Sequence, residues 1–142
     1  MRHVERRRGV TLIEMLAVLV IIGIIATMAT LHVVNSMRQA RVQAAMAQLK
    51  TFSTAIAQFR MVHRRLPAKL ADLETDPGGL PQPFPQGGYL DTVGVPDDPW
   101  GNDYVYSIGG TEGFAVTTLG ENGVAGGAEF DKDLSSDDPV GK

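Results

Sequence analysis

The chain has no cysteine among its 142 residues. Disulfides therefore cannot stabilise it, and no thiol nucleophile is available. It has only three histidines: His3 near the N-terminus, His32 in an apolar run, and His63 beside two arginines. None forms a Ser/His/Asp set or a metal-binding spacing, and no phosphate loop is present, so the sequence does not predict an enzyme. We expect His63 to lie on the surface at a helix end.

Proline is absent before Pro67, and no strong helix breaker lies between Thr11 and Arg65. Residues 15–34 are nearly all apolar, and about 20 such residues span the roughly 30 Å hydrocarbon core of a bilayer. After Ser36 the apolar residues recur at three- and four-residue steps, as on one face of a helix. We predict one continuous helix of about 50 residues, roughly 75–80 Å long. Its amphipathic part has its predicted buried face at Met37, Ala44, Ala45, Leu49, Phe52, Ile56 and Phe59.

Acidic residues are scarce in the first half of the chain, and basic residues are scarce in the second half. Residues 1–69 contain eleven Lys/Arg and two acids, whereas residues 70–142 contain two Lys and fourteen acids. The basic residues form an N-terminal cluster and then a spaced series along the helix, without aromatic residues to stack on bases, so we expect no nucleic-acid partner. The N-terminal arginines predict a cytoplasmic leader, with the remainder of the chain on the outer side of the membrane.

The part after Leu66-Pro67 is predicted to be a small globular domain. Residues 68–74 fit a short helix, and the many prolines and glycines of residues 77–88 predict loops and turns. Residues 104–108 and 114–118 alternate like two strands joined by a turn at Gly109-Gly110. The predicted fold class is α+β, with a long N-terminal helix packed on a small antiparallel sheet.

One carboxylate, Glu14, lies at the start of the apolar run, five residues after Gly9. An unpaired carboxylate in hydrocarbon is costly and indicates a function. A secretory signal peptide would place its cleavage site after the apolar run, not before it. A simple membrane anchor would explain the length of the run but not Glu14 or the preceding glycine.

The segment Gly9-Val10-Thr11-Leu12-Ile13-Glu14 resembles the leader and mature start of type IV pilin-like proteins. The resemblance implies that a prepilin peptidase cleaves after Gly9 and that the new N-terminus, Val10, is methylated. It also implies that Glu14 pairs with the Val10 amine of a neighbouring subunit during assembly. Two positions differ from the usual pattern, because most relatives begin with Phe where this chain has Val10, and many have proline where it has Leu31.

The C-terminal half narrows the resemblance to the major pseudopilins of type II secretion systems. The similar strings are residues 84–90, the Pro-Asp-Asp-Pro-Trp-Gly-Asn-Asp-Tyr string of residues 96–104, and the loop of residues 119–134. The resemblance implies a pilin-like fold, an inner-membrane position with a periplasmic domain, and a structural subunit that polymerises to export folded proteins. Implied partners are copies of itself, minor pseudopilins, the prepilin peptidase and the inner-membrane assembly platform. From the residues alone, we expect Trp100 to fill the core and Asp98 and Asp103 to cap turns.

The terminal loop is a candidate Ca²⁺ site. In an extended segment Asp131 and Asp133 point to the same side. Asn122 can add an amide oxygen and Leu119 a backbone carbonyl, and an all-oxygen set of this kind suits calcium rather than zinc. The resemblance implies the same ligands, although family members commonly have Asp where this chain has Asn122. The simpler alternative is a solvated acidic tail, because two further aspartates follow.

Residues 1–9 are thus predicted to be a leader, 10–34 a transmembrane and assembly helix, 35–65 its amphipathic continuation, and 66–142 the periplasmic domain. Two alternatives remain at this point. A type IV or competence pilin usually has a C-terminal disulfide loop, which this chain cannot form. A membrane-anchored protein that binds calcium or another ligand without polymerising should not need Glu14.

Overall fold

The computed structural model describes residues 9–138, except for the side chains of residues 28–31. The predicted leader residues 1–8 lie outside the described part. The chain divides into two units, Met1–Met37 and Arg38–Lys142.

Helix α1 extends over Leu12–His63 without interruption, as the sequence predicts. It begins with a capping box, because the Thr11 hydroxyl accepts the Glu14 N–H at 3.3 Å and the Thr11 N–H is directed to Glu14 Oε2 at 3.5 Å. It ends two residues before the predicted boundary at residue 65. Arg64 adopts the left-handed conformation (φ 55°) and its N–H bonds to the Arg60 carbonyl at 2.9 Å, which is the αL type of helix termination.

The first unit has almost no buried side chains among its described residues. Its large apolar side chains before residue 26 are 45–83% exposed. An 18-residue window of α1 has a mean hydropathy of 2.6 and is 0% buried, so α1 is long and apolar enough to cross a membrane. The exposed apolar residues are Val10, Leu12, Ile13, Met15, Leu16, Val18, Leu19, Val20, Ile21, Ile22, Ile24 and Ile25.

The second unit has a hydrophobic core that the C-terminal part of α1 shares with the segments after it. A short 3-10 helix, Leu70–Leu73, forms where a short helix was predicted. Met37 and Ala44 were wrongly placed on the buried face, because both are exposed, whereas Ala55 belongs to it. The buried core residues are Leu49, Phe52, Ala55, Ile56, Phe59, Leu70, Leu73, Leu90, Tyr104, Phe114 and Val116.

The sheet has three antiparallel strands in the order β1-β2-β3. Strands β1 (Val105–Ile108) and β2 (Phe114–Thr118) match the prediction, and β3 (Leu134–Ser135) was not predicted. Val105 pairs with Thr117 and Ile108 with Phe114, while Thr118 pairs with Leu134. Alternate residues of β2 are buried, so its core face carries Phe114, Val116 and Thr118.

Two expectations about single residues were wrong. His63 is not a surface residue, since only 2% of it is exposed. The centre of its ring lies 4.6 Å from the centre of the Phe59 ring. The helical period that buries Phe52, Ile56 and Phe59 also carries position 63 into the core. Trp100 is half-buried and lies outside the core cluster.

Candidate functional site

Glu14 lies in the first turn of α1, at the N3 position of the capping box. A carboxylate is favoured there because the N-terminal end of a helix carries a partial positive charge. Glu14 is exposed and surrounded along the chain by exposed apolar side chains. Among the described residues its carboxylate is therefore held by the start of its own helix alone, and it remains accessible to a second group.

The terminal loop connects β2 to β3 and contains the four residues predicted to bind calcium. We call residues 119–122 its first limb and residues 131–133 its second limb. The two limbs lie against each other, because the Glu121 N–H bonds to the Phe130 carbonyl at 3.3 Å. A Cβ added to Gly120 would stand 3.0–3.2 Å from backbone atoms of Asp131 and Lys132. The fold thus brings together the two segments that the sequence analysis selected.

The acidic and amide side chains of these limbs have distinct surroundings. Asn122 Oδ1 accepts the Val124 N–H at 2.9 Å, and Asp133 Oδ2 accepts the Gly126 N–H at 2.9 Å. Asp133 Oδ1 is buried, and no group among the described residues forms a hydrogen bond with it. A buried carboxylate oxygen without a donor is costly unless a cation or another positive group faces it. Asp131 is exposed and ends a short 3-10 helix, Glu129–Asp131. The expectation of one extended segment over Asp131 and Asp133 was therefore wrong, because the second limb is extended only from Lys132 onward.

The donor atoms of the predicted set are all oxygens, which is the chemistry that a hard cation prefers. In the part of the chain that the structure describes, no cluster of three or more His, Cys, Asp or Glu side chains could hold a metal. The predicted set has only two carboxylates and completes itself with amide and carbonyl oxygens, which calcium accepts. Gly127 permits the close fold of the loop, because a Cβ there would stand 2.3 Å from the Asp131 carbonyl oxygen.

Arg38 fastens the terminal loop to α1, a contact that sequence analysis did not predict. Its Nε lies 3.4 Å from Glu121 Oε2, and its guanidinium carbon lies 5.5 Å from the centre of the Phe130 ring. The ion pair is partly exposed and therefore weak, at about 0–1 kcal/mol. Arg38 nevertheless contacts both Glu121 in the first limb and Phe130, the residue before the second limb. An Arg more than 80 positions away in the sequence gives no local signal of this contact.

Three tyrosines have perturbed ionisation in the second unit. Burial raises the pKa of Tyr104, and the negative charge of Asp98 raises it further. Burial also raises the pKa of Tyr106, with a contribution from Asp72, and the pKa of Tyr89. The Tyr104 hydroxyl donates to Gln48 Oε1 on α1, and the Tyr106 hydroxyl donates to the Pro67 carbonyl at 3.0 Å. Tyr104 and Tyr106 therefore act as neutral donors that tie β1 and the residue before it to α1 and to the segment that follows α1.

Comparisons with known proteins agree with these features. The family model for the type II secretion system protein G matches residues 32–137, and the model for the prokaryotic N-terminal methylation motif matches residues 5–30. The type II secretion system core protein G of Pseudomonas aeruginosa is 36% identical over 141 residues, which cover 94% of this chain and 98% of the relative. That of Xanthomonas campestris is 32% identical over 130 residues, covering 89% and 87%.

A solved structure shows the same fold. The crystal structure of the major pseudopilin from the type 2 secretion system of enterohaemorrhagic Escherichia coli superposes with a TM-score of 0.57. The match covers 71% of this chain and 86% of the other, at 23% identity. The long helix with its small antiparallel sheet, the terminal loop and the match over most of the chain lead to one conclusion: the chain belongs to the type II secretion system protein G family.

Proposed function

We propose that this chain is a structural, non-enzymatic subunit of the type II secretion pseudopilus. It polymerises through its N-terminal helix in the inner membrane and thereby drives the export of folded periplasmic proteins. The observation that carries this proposal is the exposed apolar surface of α1 before residue 26, with Glu14 at its start. Such a surface is stable only in lipid or against other helices, and Glu14 gives it a preferred register.

Maturation would generate the partner of Glu14. Cleavage after Gly9 would make Val10 the N-terminal residue, with a methylated ammonium group at membrane depth. The match to the methylation motif over residues 5–30 supports this step. When subunits stack, the ammonium group of Val10 on one subunit and the carboxylate of Glu14 on another become one ion pair, whereas a misaligned subunit leaves both charges unpaired.

The remaining partners follow from the same proposal. The prepilin peptidase acts on the leader, the inner-membrane assembly platform receives the matured subunit, and minor pseudopilins join the filament. The second unit lies in the periplasm, because the arginine-rich leader stays on the cytoplasmic side.

Calcium binding by the terminal loop is the second part of the proposal. Leu119 would contribute its carbonyl oxygen, Asn122 its amide oxygen, and Asp131 and Asp133 their carboxylates. The buried Asp133 Oδ1, which lacks a hydrogen-bond partner within residues 9–138, supports this assignment. The ion would hold the two limbs together and stabilise a domain that has no disulfide.

The decisive experiment separates the charge of Glu14 from its role in the capping box. Glutamine can replace glutamate in a capping box, so Glu14→Gln keeps the helix start and removes only the charge. Filament formation is measured by electron microscopy and cross-linking in cells that overproduce the chain. We expect Glu14→Gln and Glu14→Ala both to lose filaments at unchanged levels of processed protein.

Thr27→Ala provides the matched control within the same helix. Its hydroxyl bonds to the Gly23 carbonyl at 2.8 Å in the same turn, so its loss should leave assembly intact. A non-polymerising membrane anchor predicts no filaments for any variant, and normal filaments from Glu14→Gln would refute the ion-pair proposal.

A further inference from the structure

A buried carboxylate, Asp98, organises the turn of residues 98–102, which we call the Asp98 turn. Asp98 is 4% exposed. Its Oδ1 accepts the N–H groups of Trp100 at 3.0 Å and Asn102 at 2.8 Å. The backbone closes the same turn, with Asp98 N–H bonded to the Asn102 carbonyl and Gly101 N–H to the Asp98 carbonyl, both at 2.9 Å. The turn is thus held by both main-chain and side-chain bonds, as the capping prediction for Asp98 implied.

The Asp98 turn holds the beginning of the terminal loop through two side chains. The Thr118 hydroxyl, at the end of β2, donates to Asp98 Oδ2 and accepts the Gly120 N–H at 3.3 Å. Asn102 Nδ2 donates to the Gly120 carbonyl at 3.2 Å. Both polar groups of the Gly120 backbone are therefore bonded to this network, and Gly120 and Thr118 are buried.

These bonds determine how the Leu119 carbonyl is oriented. The Leu119–Gly120 peptide is planar and trans, so its C=O points opposite to its N–H. Because the Gly120 N–H is directed to Thr118 Oγ1, the Leu119 carbonyl is turned away from it. Asn102 also lies close to Gly123, the residue that follows Asn122. A Cβ added to Gly123 would stand 3.1 Å from Asn102 Oδ1. The backbone on both sides of Asn122 is therefore in contact with the network.

We infer that the Asp98 turn, through Thr118 and Asn102, presets the first limb of the terminal loop for cation binding. This inference rests on the proposed calcium site and names positioning residues that are not themselves ligands. Groups that orient metal ligands without touching the metal typically change affinity about 10–100-fold when they are removed. The rigid turn lowers the entropy that the loop loses when it closes around an ion.

The experiment uses the full chain in detergent micelles and titrates it with CaCl₂ after removal of metal by EDTA. Trp100, the only tryptophan, lies within the Asp98 turn and reports binding by its fluorescence. Thr118→Val keeps the shape of the side chain but loses the hydroxyl, whereas Thr118→Ser keeps the hydroxyl. We expect Thr118→Val to raise the Kd for calcium by about 10-fold, and Thr118→Ser to restore it to near the original value.

Thr92→Val is the matched control, because its hydroxyl bonds only to a carbonyl in another loop, that of Gly94 at 3.1 Å. Its calcium Kd should not change. The melting temperature in EDTA is measured in parallel. A purely structural role for Thr118 would lower that temperature and leave the Kd of the folded protein unchanged, and this result would overturn the inference.

Asn102→Asp gives a test in which electrostatic attraction and the positioning role predict opposite changes in calcium affinity. It replaces the donor to the Gly120 carbonyl with a carboxylate, and it also adds a negative charge near the cation. Simple electrostatics predicts tighter calcium binding, whereas the positioning role predicts weaker binding. Asn102→Ala decides the matter if Thr118→Val does not fold, because Asn102 is only half-buried.

An unchanged Kd in Asn102→Ala would overturn the inference and leave the calcium site standing. A wild-type chain that shows neither a fluorescence change nor a stability gain with calcium would overturn the site and the inference together.

Discussion

The Nε2 nitrogen of His63 lies 2.7 Å from the hydroxyl oxygen of Tyr89, with both rings packed near Phe59. His63 Nδ1 is buried and has no hydrogen-bond partner among the described residues. The Tyr89 hydroxyl is thus the polar partner of a histidine at the end of α1, and it links that helix end to the loop before β1.

Tyr89→Phe should destabilise the second unit by about 1–3 kcal/mol, because it leaves both ring nitrogens of a buried His63 unpaired. Thermal or denaturant unfolding of the purified chain measures this change. Replacing both partners by apolar residues is less costly than removing one. The double variant His63→Phe/Tyr89→Phe should therefore be less destabilised than the sum of the single variants, and strict additivity would contradict the pairing.

Arg64→Gly should stabilise the chain by up to about 1 kcal/mol. Arg64 terminates α1 at φ 55°, a conformation that costs L-residues roughly 1–2 kcal/mol and glycine little, although glycine also gains entropy in the unfolded state. Arg64→Ala removes the same charge and keeps the Cβ, so it serves as the control. An equal gain in melting temperature for the alanine variant would assign the effect to charge instead.

Chelation of calcium by EDTA should lower the melting temperature of the purified chain. An ion that binds only the folded state contributes about 2.7 kcal/mol at 100 times its Kd. Asp131→Ala should abolish the calcium-induced gain, whereas Asp91→Ala, at an exposed acid of another loop, should retain it. Persistence of the full gain in Asp131→Ala would remove Asp131 from the ligand set.

Stability should fall at alkaline pH. The folded state favours the neutral phenol of Tyr104, so its pKa lies above the ordinary value of 10.0. As the pH rises through that ordinary value, the unfolded chain loses its proton first, and the free energy of unfolding decreases until the folded pKa is reached. Melting temperatures from neutral to strongly alkaline pH measure this loss. Tyr104→Phe should show a shallower decline, and an equally steep decline would exclude Tyr104 as a cause.

Gly9→Leu should block removal of the leader. The proposed cleavage lies between Gly9 and Val10, and the substitution adds a branched side chain at that bond. Mass spectrometry of the protein from membranes should show the intact N-terminus. Gly23→Leu, at the other glycine of the N-terminal half, should be processed normally. Normal processing of Gly9→Leu would refute this maturation step.

The helix and two strands could be predicted because their signals are local. An uninterrupted apolar and then amphipathic period predicts α1, and strict alternation predicts β2. Strand β3 has only two residues, Leu134 and Ser135, and forms because β2 offers a partner, which no local pattern reveals. The burial of His63 was missed because the adjacent arginines suggested a surface, while the helical period pointed to the core.

The sequence predicted a set of oxygen ligands in the terminal loop, but it did not predict the contacts that hold the loop in place. Arg38 and Glu121 are 83 positions apart, and their contact depends on how the loop folds back on α1. Asp98 was expected to cap a turn, which it does, yet its bond to Thr118 depends on the tertiary fold. Local capping chemistry can be read from sequence, whereas the partner of a side chain across the fold cannot.

The core of the second unit has a consequence for biosynthesis. Leu49, Phe52, Ile56 and Phe59 are buried beneath Phe114 and Val116, which the ribosome adds more than 50 residues later. Until β2 has emerged, the apolar face of α1 in this unit lacks the part of its cover that Phe114 and Val116 provide. At that time the N-terminal segment is already long enough to enter the bilayer. Nascent chains of this protein should therefore depend on a holding chaperone or on the translocation machinery during that interval.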